Sequence, residues 1–174
     1  MGAAFAVLEG EAFLLDWGFK VSGSGGSAGY LRRIQSLIEK YEPDVLVLED
    51  PSGKGSHRRP PAKRALKLLR GLARKCRLRC EAFSREDVRA AFPPDHRTKR
   101  RIAEEIALHF PELQESLPPV RKWYESGEDE RMSIFDAVAL ALAHFHAAAR
   151  EHSRSGKMFV IGASHAEENE TRRK

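Results

Sequence analysis

The stretch VLVLEDPSGKGSHRR, residues Val45–Arg59, gives the strongest indication of the fold. Four apolar residues, Val45–Leu48, precede two adjacent carboxylates and then a basic loop that contains two glycines. A short run that is apolar on both faces is typical of a strand covered on both sides in a largely parallel sheet. Strand alternation places Glu49 and Asp50 on opposite faces, so only one of them is expected in any one site and the other caps the loop.

Strand and helix patterns alternate on both sides of this segment, with an antiparallel hairpin before it. The predicted strands are Ala3–Leu8, Ala12–Val21, Val45–Leu48, Leu78–Phe83 and a short one at Met158–Gly162. The predicted helices are Tyr30–Tyr41, Pro60 to about Lys75, a short helix capped by Ser84 and Asp87, Thr98–Phe110 and Ser133–Arg150. This order predicts a mixed α/β sheet flanked by helices, with one domain over residues 1–150 and a polar tail over 151–174.

Composition is that of a soluble globular domain, with 174 residues of which 41% are hydrophobic and 32% charged. The net charge is only +5, but residues 51–80 contain eleven Lys or Arg and no Asp or Glu. Such a block favours a polyanionic partner, most often nucleic acid, and a solvated helix face is the equal alternative.

Location is indicated by cysteine usage and by the absence of targeting signals. Two cysteines, Cys76 and Cys80, fit a reduced cytoplasmic protein better than a disulfide scaffold. We find no apolar run long enough to span a membrane and no signal-peptide pattern at the N-terminus, so no membrane partner is expected.

The glycines of the chain have spacings close to those of two nucleotide-binding motifs. A Walker A loop needs a glycine five residues before its Gly-Lys pair, where this sequence has Leu48, so that loop is excluded. Residues Gly23–Ala28 match G-x-G-x-x-A before a helix, and Asp50 lies about the right distance on. A dinucleotide-binding domain therefore stays a distant alternative, since the strand before these glycines belongs to a hairpin.

A metal-binding carboxylate is the third interpretation of the strand-end acid. Mg²⁺ prefers oxygen ligands, and two-metal phosphodiester cleavage needs acids from separate parts of the chain. Asp136 lies between Phe135 and Val138 on an otherwise apolar helix, although aspartate is a poor helix former. Either a bound cation or the helix dipole accounts for an acid at this position.

Four segments together resemble a known family: AFAVLEGEAFLLDWG, YEPDVLVLED, TKRRIAEEIALHFPEL and RMSIFDAVALALAHF. They are similar to the RuvC-like branch of the ribonuclease H-like superfamily, whose best-known members are Holliday junction resolvases. The resemblance covers most of residues 3–146. It implies a ribonuclease H-like sheet and a nuclease for DNA recombination and repair. The implied cofactor is Mg²⁺ or Mn²⁺, and the implied assembly is a homodimer bound to branched DNA.

The resemblance also implies an active site of clustered carboxylates. By position Glu49 matches the family's strand-end Glu, and Asp136 matches its helix Asp, so both are expected to be catalytic metal ligands. Many family members carry a second Asp three residues before the helix Asp, where this chain has Ser133. Glu128, Asp129 or Glu130 is the candidate to supply that oxygen, and a solvated acidic loop is the equal alternative.

Basic residues are expected to hold the nucleic-acid backbone. Lys99 matches a family residue that lies near the scissile phosphate, and a solvated lysine in a first helical turn is its equal alternative. The other expected phosphate-binding residues, from the basic segment, are Lys54, Arg58, Arg59, Lys63 and Arg64.

The family's first strand, central and carrying an Asp, has no counterpart before Phe5, and Asp16 does not match that Asp. We prefer a misassigned or truncated start as the explanation. The alternatives are an inactive binder, and a sheet filled by Met158–Ser164 with Ala163 near the position of the Asp. Two further functions therefore stand beside a resolvase-type endonuclease: a catalytically silent nucleic-acid-binding module and a RuvC-like RNA-processing nuclease.

Overall fold

The predicted mixed sheet is present and has, in the residues that the structure describes, five strands in the order β2-β1-β5-β3-β4. A computed structural model describes residues 2–21, 26–50, 60–120, 129–150 and 157–163. The strands are β1 (Gly2–Glu9), β2 (Phe13–Val21), β3 (Val45–Glu49), β4 (Arg79–Phe83) and β5 (Lys157–Ala163). The helices are α1 (Gly26–Tyr41), α2 (Pro60–Lys75), α3 (Arg85–Ala90), α4 (Lys99–His109) and α5 (Met132–Arg150). The predicted fold class is therefore confirmed.

An antiparallel hairpin forms one edge of the sheet, as predicted. Strands β1 and β2 pair from Gly2 with Val21 to Glu9 with Phe13. Gly10 in the turn has a φ of +67°, a backbone conformation that residues other than glycine adopt at an energetic cost. The register shifts between Val7 and Leu8, so the ladder carries an irregularity near the turn.

The centre of the sheet is occupied by the last strand of the described chain. Strand β5 pairs antiparallel with β1, from Ala3 with Ala163 to Glu9 with Lys157, and parallel with β3. The side chains of Met158–Ile161 are at most 1% exposed. The strand expected to be missing from the centre is thus supplied by Lys157–Ala163, within the segment predicted to be a polar tail with a short strand. Of the three explanations, the structure agrees with the one in which this segment fills the gap.

Two helical layers cover the sheet, and strand alternation decides which residue meets which layer. Val45 and Val47 pack with α4 and α5, together with Val160 of β5. Leu46 and Leu48 point to the opposite layer, formed by α1 and α2. All five residues of β3 are buried, which explains why its sequence is apolar on both faces.

The dinucleotide alternative does not agree with this strand order. A G-x-G-x-x-A loop and the acid that follows it lie at the ends of adjacent parallel strands. Here β2, which precedes the glycines, is separated from β3 by β1 and β5. The glycines at positions 23 and 25 lie outside the described residues.

The prediction that no apolar run is long enough to span a membrane is wrong, if length and composition alone are considered. Within the described ranges one stretch, Met132–Ala149 of α5, is long and apolar enough to cross a bilayer. In this fold 67% of that stretch is buried. Its apolar surface packs on the sheet and α4, which is the arrangement of a core helix.

A buried histidine fastens α5 to the edge strand β4. His144 is 4% exposed, and its Nδ1 lies 2.7 Å from Oε2 of Glu81. Because a carboxylate only accepts hydrogen bonds, Nδ1 must carry the proton and donate it. The Nε of Arg79 lies 3.1 Å from the other oxygen of Glu81, and the ring of Phe83 meets the imidazole edge-on.

Replacing Glu81 with alanine is expected to reduce the free energy of unfolding by about 1–3 kcal/mol, because a buried imidazole N–H loses its acceptor. Urea unfolding measures this change. Glu115→Ala, at an exposed acid, is the matched control and is expected to stay within about 0.5 kcal/mol of the parent. Equal stability of the two variants would show that the His144 contact adds nothing.

Candidate active site

Glu49 is the last residue of β3 and is buried, with 5% of its surface exposed. Alternation along the strand turns it, like Val45 and Val47, toward the α4–α5 layer. The backbone N–H of Asp50 donates to the carbonyl of Phe83 at 2.8 Å, which extends the pairing with β4 past Glu49. The carboxylate is therefore held at a fixed strand end. Asp50 does not line the cleft that Glu49 enters.

Asp136 enters the same cleft from α5. It lies one turn into the helix, between the buried Phe135 and Ala137, and its own side chain is half-buried. The cleft has a volume of about 100 Å³ and is also walled by the apolar side chains of Val88, Ile102 and Leu140. The structure thus brings together the two acids that the sequence placed 87 positions apart (136 − 49).

Each of these carboxylates lies beside a cation. The Nζ of Lys99 lies 2.7 Å from Oδ2 of Asp136, and the Nε of Arg85 lies 3.7 Å from Oε1 of Glu49. A buried carboxylate is costly unless a partner offsets its desolvation, and Arg85 is such a partner for Glu49. Lys99 therefore lies in the predicted site, in contact with a predicted metal ligand.

Two capped helices position the cations. Ser84 and Asp87 form the reciprocal capping box predicted from the sequence, which starts α3 at Arg85. The hydroxyl of Thr98 accepts a hydrogen bond from the N–H of Arg101, which starts α4 at Lys99. Both helices begin at the cleft, so their first side chains reach the carboxylates.

Three arginines of this cleft were not predicted from the sequence: Arg85, Arg89 and Arg97. Arg85 and Arg89 are four residues apart in α3, so they lie on one face of the helix. This spacing next to a capping box was a usable signal. Arg97, which follows a 3₁₀ turn at Pro94–His96, gave no such pattern.

Asp129, another predicted metal ligand, does not line this cleft. The carboxylate of Asp129 accepts hydrogen bonds from the backbone N–H and the guanidinium of Arg131, at 2.7 to 3.0 Å. Glu128 lies outside the described residues. Ser133, where the family often has an Asp, is buried. Asp16 points to the opposite layer, where Oδ2 accepts a hydrogen bond from Tyr41 at 2.7 Å.

The predicted phosphate-binding residues of the basic segment divide into two groups. Lys54, Arg58 and Arg59 lie outside the described residues. Lys63 and Arg64 are exposed on α2, which packs on the opposite face of the sheet from the cleft. These two side chains therefore do not contribute to the cleft itself.

The donor set of the cleft fits a magnesium ion with two protein ligands. Across the described ranges there is no group of three or more His, Cys, Asp or Glu that could hold a metal. Residues 158–163 of the central strand contain no acid, and continuing the β3–β5 register by one residue places Gly162, rather than the expected Ala163, beside Glu49. Mg²⁺ is commonly bound by one or two carboxylates, with water and substrate phosphates completing its shell, and Glu49 and Asp136 meet that need.

The sheet order and the two helical layers match the RuvC and ribonuclease H-like α/β fold. Solved structures that share this fold include two of RuvC. The structure of Thermus thermophilus RuvC superimposes with a TM-score of 0.57 at 17% identity, over 89% of this chain and 92% of that one. T. thermophilus RuvC in complex with a Holliday junction substrate gives a TM-score of 0.51 at 16% identity, over 90% and 99%. No family model matches this chain, and no curated protein matches its sequence.

Proposed function

We propose that this protein is a metal-dependent, structure-selective endonuclease of the Holliday junction resolvase type that cleaves phosphodiesters in branched DNA. The observation that supports this most strongly is the convergence of Glu49 and Asp136, one from a strand end and one from a helix, in a single cleft. The RuvC-like fold supports the same class of substrate, since one of the similar structures holds a Holliday junction.

Glu49 and Asp136 would hold Mg²⁺ or Mn²⁺, which when bound activates water and stabilises the leaving oxygen of the phosphodiester. The rigid end of β3 keeps the Glu49 carboxylate in one orientation, and the first turns of α5 do the same for Asp136. Lys99, whose Nζ lies 2.7 Å from Oδ2 of Asp136, would bind a non-bridging oxygen of the scissile phosphate.

Further backbone binding is assigned to Lys54, Arg58, Arg59, Lys63 and Arg64, which supply affinity without sequence readout. We further propose that the protein acts as a homodimer, because a four-way junction is two-fold symmetric. The proposed location is the cytoplasm, near the nucleoid.

Cleavage of a synthetic four-way junction tests this function. We expect nicking of the junction in the presence of Mg²⁺, no nicking with EDTA, and much less nicking of a linear duplex of the same sequence. Structured RNA added as a competitor separates DNA from RNA: preferential cleavage of the RNA would replace the resolvase with an RNA-processing nuclease. Binding of the junction without cleavage under every metal condition would overturn the endonuclease.

A catalytically silent nucleic-acid-binding module is the second candidate, and one observation favours it. The central strand brings no carboxylate to the cleft within the described residues, so a ligand that the resemblance implies is absent there. A silent module predicts tight junction binding with the same affinity in Mg²⁺ and in EDTA after correction for ionic strength. If the protein is an endonuclease, Mg²⁺ should increase the affinity for the junction, and this increase should depend on Glu49 and Asp136.

A further inference from the structure

Among the described residues, the cleft carries more positive than negative side chains. Its lining includes four cations, Arg85, Arg89, Arg97 and Lys99, against the two carboxylates Glu49 and Asp136. Two of the cations pair with the carboxylates. In the described part of the chain, the side chains of Arg89 and Arg97 make no ion pair and no hydrogen bond. Two unpaired guanidinium groups beside a candidate nuclease site indicate a place for anions.

Arg89 and Arg97 also form the wall between this cleft and a second one. The second cleft, with a volume of about 460 Å³, is lined by Arg89 and Arg97 together with Pro94, Thr98 and two acids. The two arginines are therefore reachable from both sides. A nucleic-acid strand that left the carboxylates in this direction would pass over both arginines.

We propose that Arg89 and Arg97 each bind a backbone phosphate of the substrate strand, adjacent to the phosphate that lies at Glu49 and Asp136. This inference rests on the proposed nucleic-acid function, and it identifies two residues that would bind the substrate backbone. Guanidinium groups suit this task because their planar donors bind a phosphate through two hydrogen bonds at once. The spacing of Arg85 and Arg89 on one face of α3 keeps the second guanidinium in line with the first.

The salt dependence of binding distinguishes phosphate contacts from a general loss of charge or of structure. Affinity for a four-way junction is measured by fluorescence anisotropy in EDTA across a series of salt concentrations. The plot of log K against log salt has a negative slope, and each lost phosphate contact reduces the magnitude of that slope by about 1. We expect the double variant, with Arg89→Gln and Arg97→Gln, to reduce the magnitude of the slope by about 2. Each single substitution is expected to reduce it by about half of that.

A matched control removes two positive charges elsewhere. Arg32 and Arg33 are exposed on α1, in the layer on the opposite face of the sheet from the cleft. The variant with Arg32→Gln and Arg33→Gln is expected to keep the parent slope. Circular dichroism and thermal unfolding verify that both double variants are folded.

The outcomes separate this inference from the endonuclease. A parent protein that cleaves the junction, with an unchanged slope for the Arg89 and Arg97 double variant, overturns the phosphate assignment and leaves the enzyme intact. A parent that binds without cleaving, with a slope reduced by about 2 in the double variant, supports the assignment and rejects the enzyme. Equal losses in the control variant, or a parent that does not bind the junction, overturn the assignment.

Discussion

Junction cleavage is expected to fall by more than about 100-fold when Glu49 is replaced by glutamine, while junction binding in EDTA stays within a few-fold of the parent. Loss of a residue that merely orients a metal ligand costs about 10–100-fold, and a direct ligand should cost more. Glutamine keeps the shape of the side chain but removes the negative charge that a hard divalent cation needs. The single-turnover rate of nicking at saturating Mg²⁺ measures the effect.

The neighbouring acid supplies the control. Asp50 follows Glu49 in the sequence but does not line the cleft. Asp50→Asn removes the same charge at nearly the same point of the chain, and we expect its cleavage rate to stay within a few-fold of the parent. A rate lost in the Asp50 variant and kept in the Glu49 variant would reverse the assignment of the strand-end acids.

The second large effect concerns the central strand. Phe159 of β5 is 1% exposed, and its ring packs 6.0 Å from that of Phe5. Phe159→Ala is expected to reduce the free energy of unfolding by about 3–5 kcal/mol, since it removes buried apolar surface and leaves a cavity. Because a domain of this kind has a total stability of about 5–15 kcal/mol, the midpoint of urea unfolding should move far to lower concentration.

A phenylalanine at the surface serves for comparison. Phe13, on β2, is 68% exposed, so Phe13→Ala should change the stability by less than about 0.5 kcal/mol. A cost below about 1 kcal/mol for Phe159→Ala would show that β5 does not occupy the middle of the sheet in solution.

Local features of the fold were predictable because short-range rules determine them. The hairpin and the helix cap at Ser84 follow from residues that lie a few positions apart. The apolar run before Glu49 was sufficient to predict a buried strand, because few other environments tolerate such a run. Glu49 and Asp136 were each identified as acids at unusual positions, but only the family resemblance predicted which of them share a site, since nothing local links a strand end to a helix 87 positions later (136 − 49).

The position of β5 was not predictable in the same way. Met158–Gly162 is short and apolar, and such a run fits an edge, a centre or a tail equally well until its partners are known. The arginines of the cleft were missed for a related reason. Their sequence positions give their charge, but only the packing of α3 and α4 against the sheet shows that Arg89 and Arg97 share a wall.

Closing the sheet with β5 has a consequence for how the protein folds. Ala3 pairs with Ala163, so the central ladder joins residues 160 positions apart (163 − 3). Contacts of such separation raise the contact order, and a high contact order slows folding because the entropy of a long loop is lost before the pairing is gained. Until β5 docks, β1 and β3 each present an open hydrogen-bonding edge to other chains. We therefore expect aggregation during refolding to rise steeply with protein concentration.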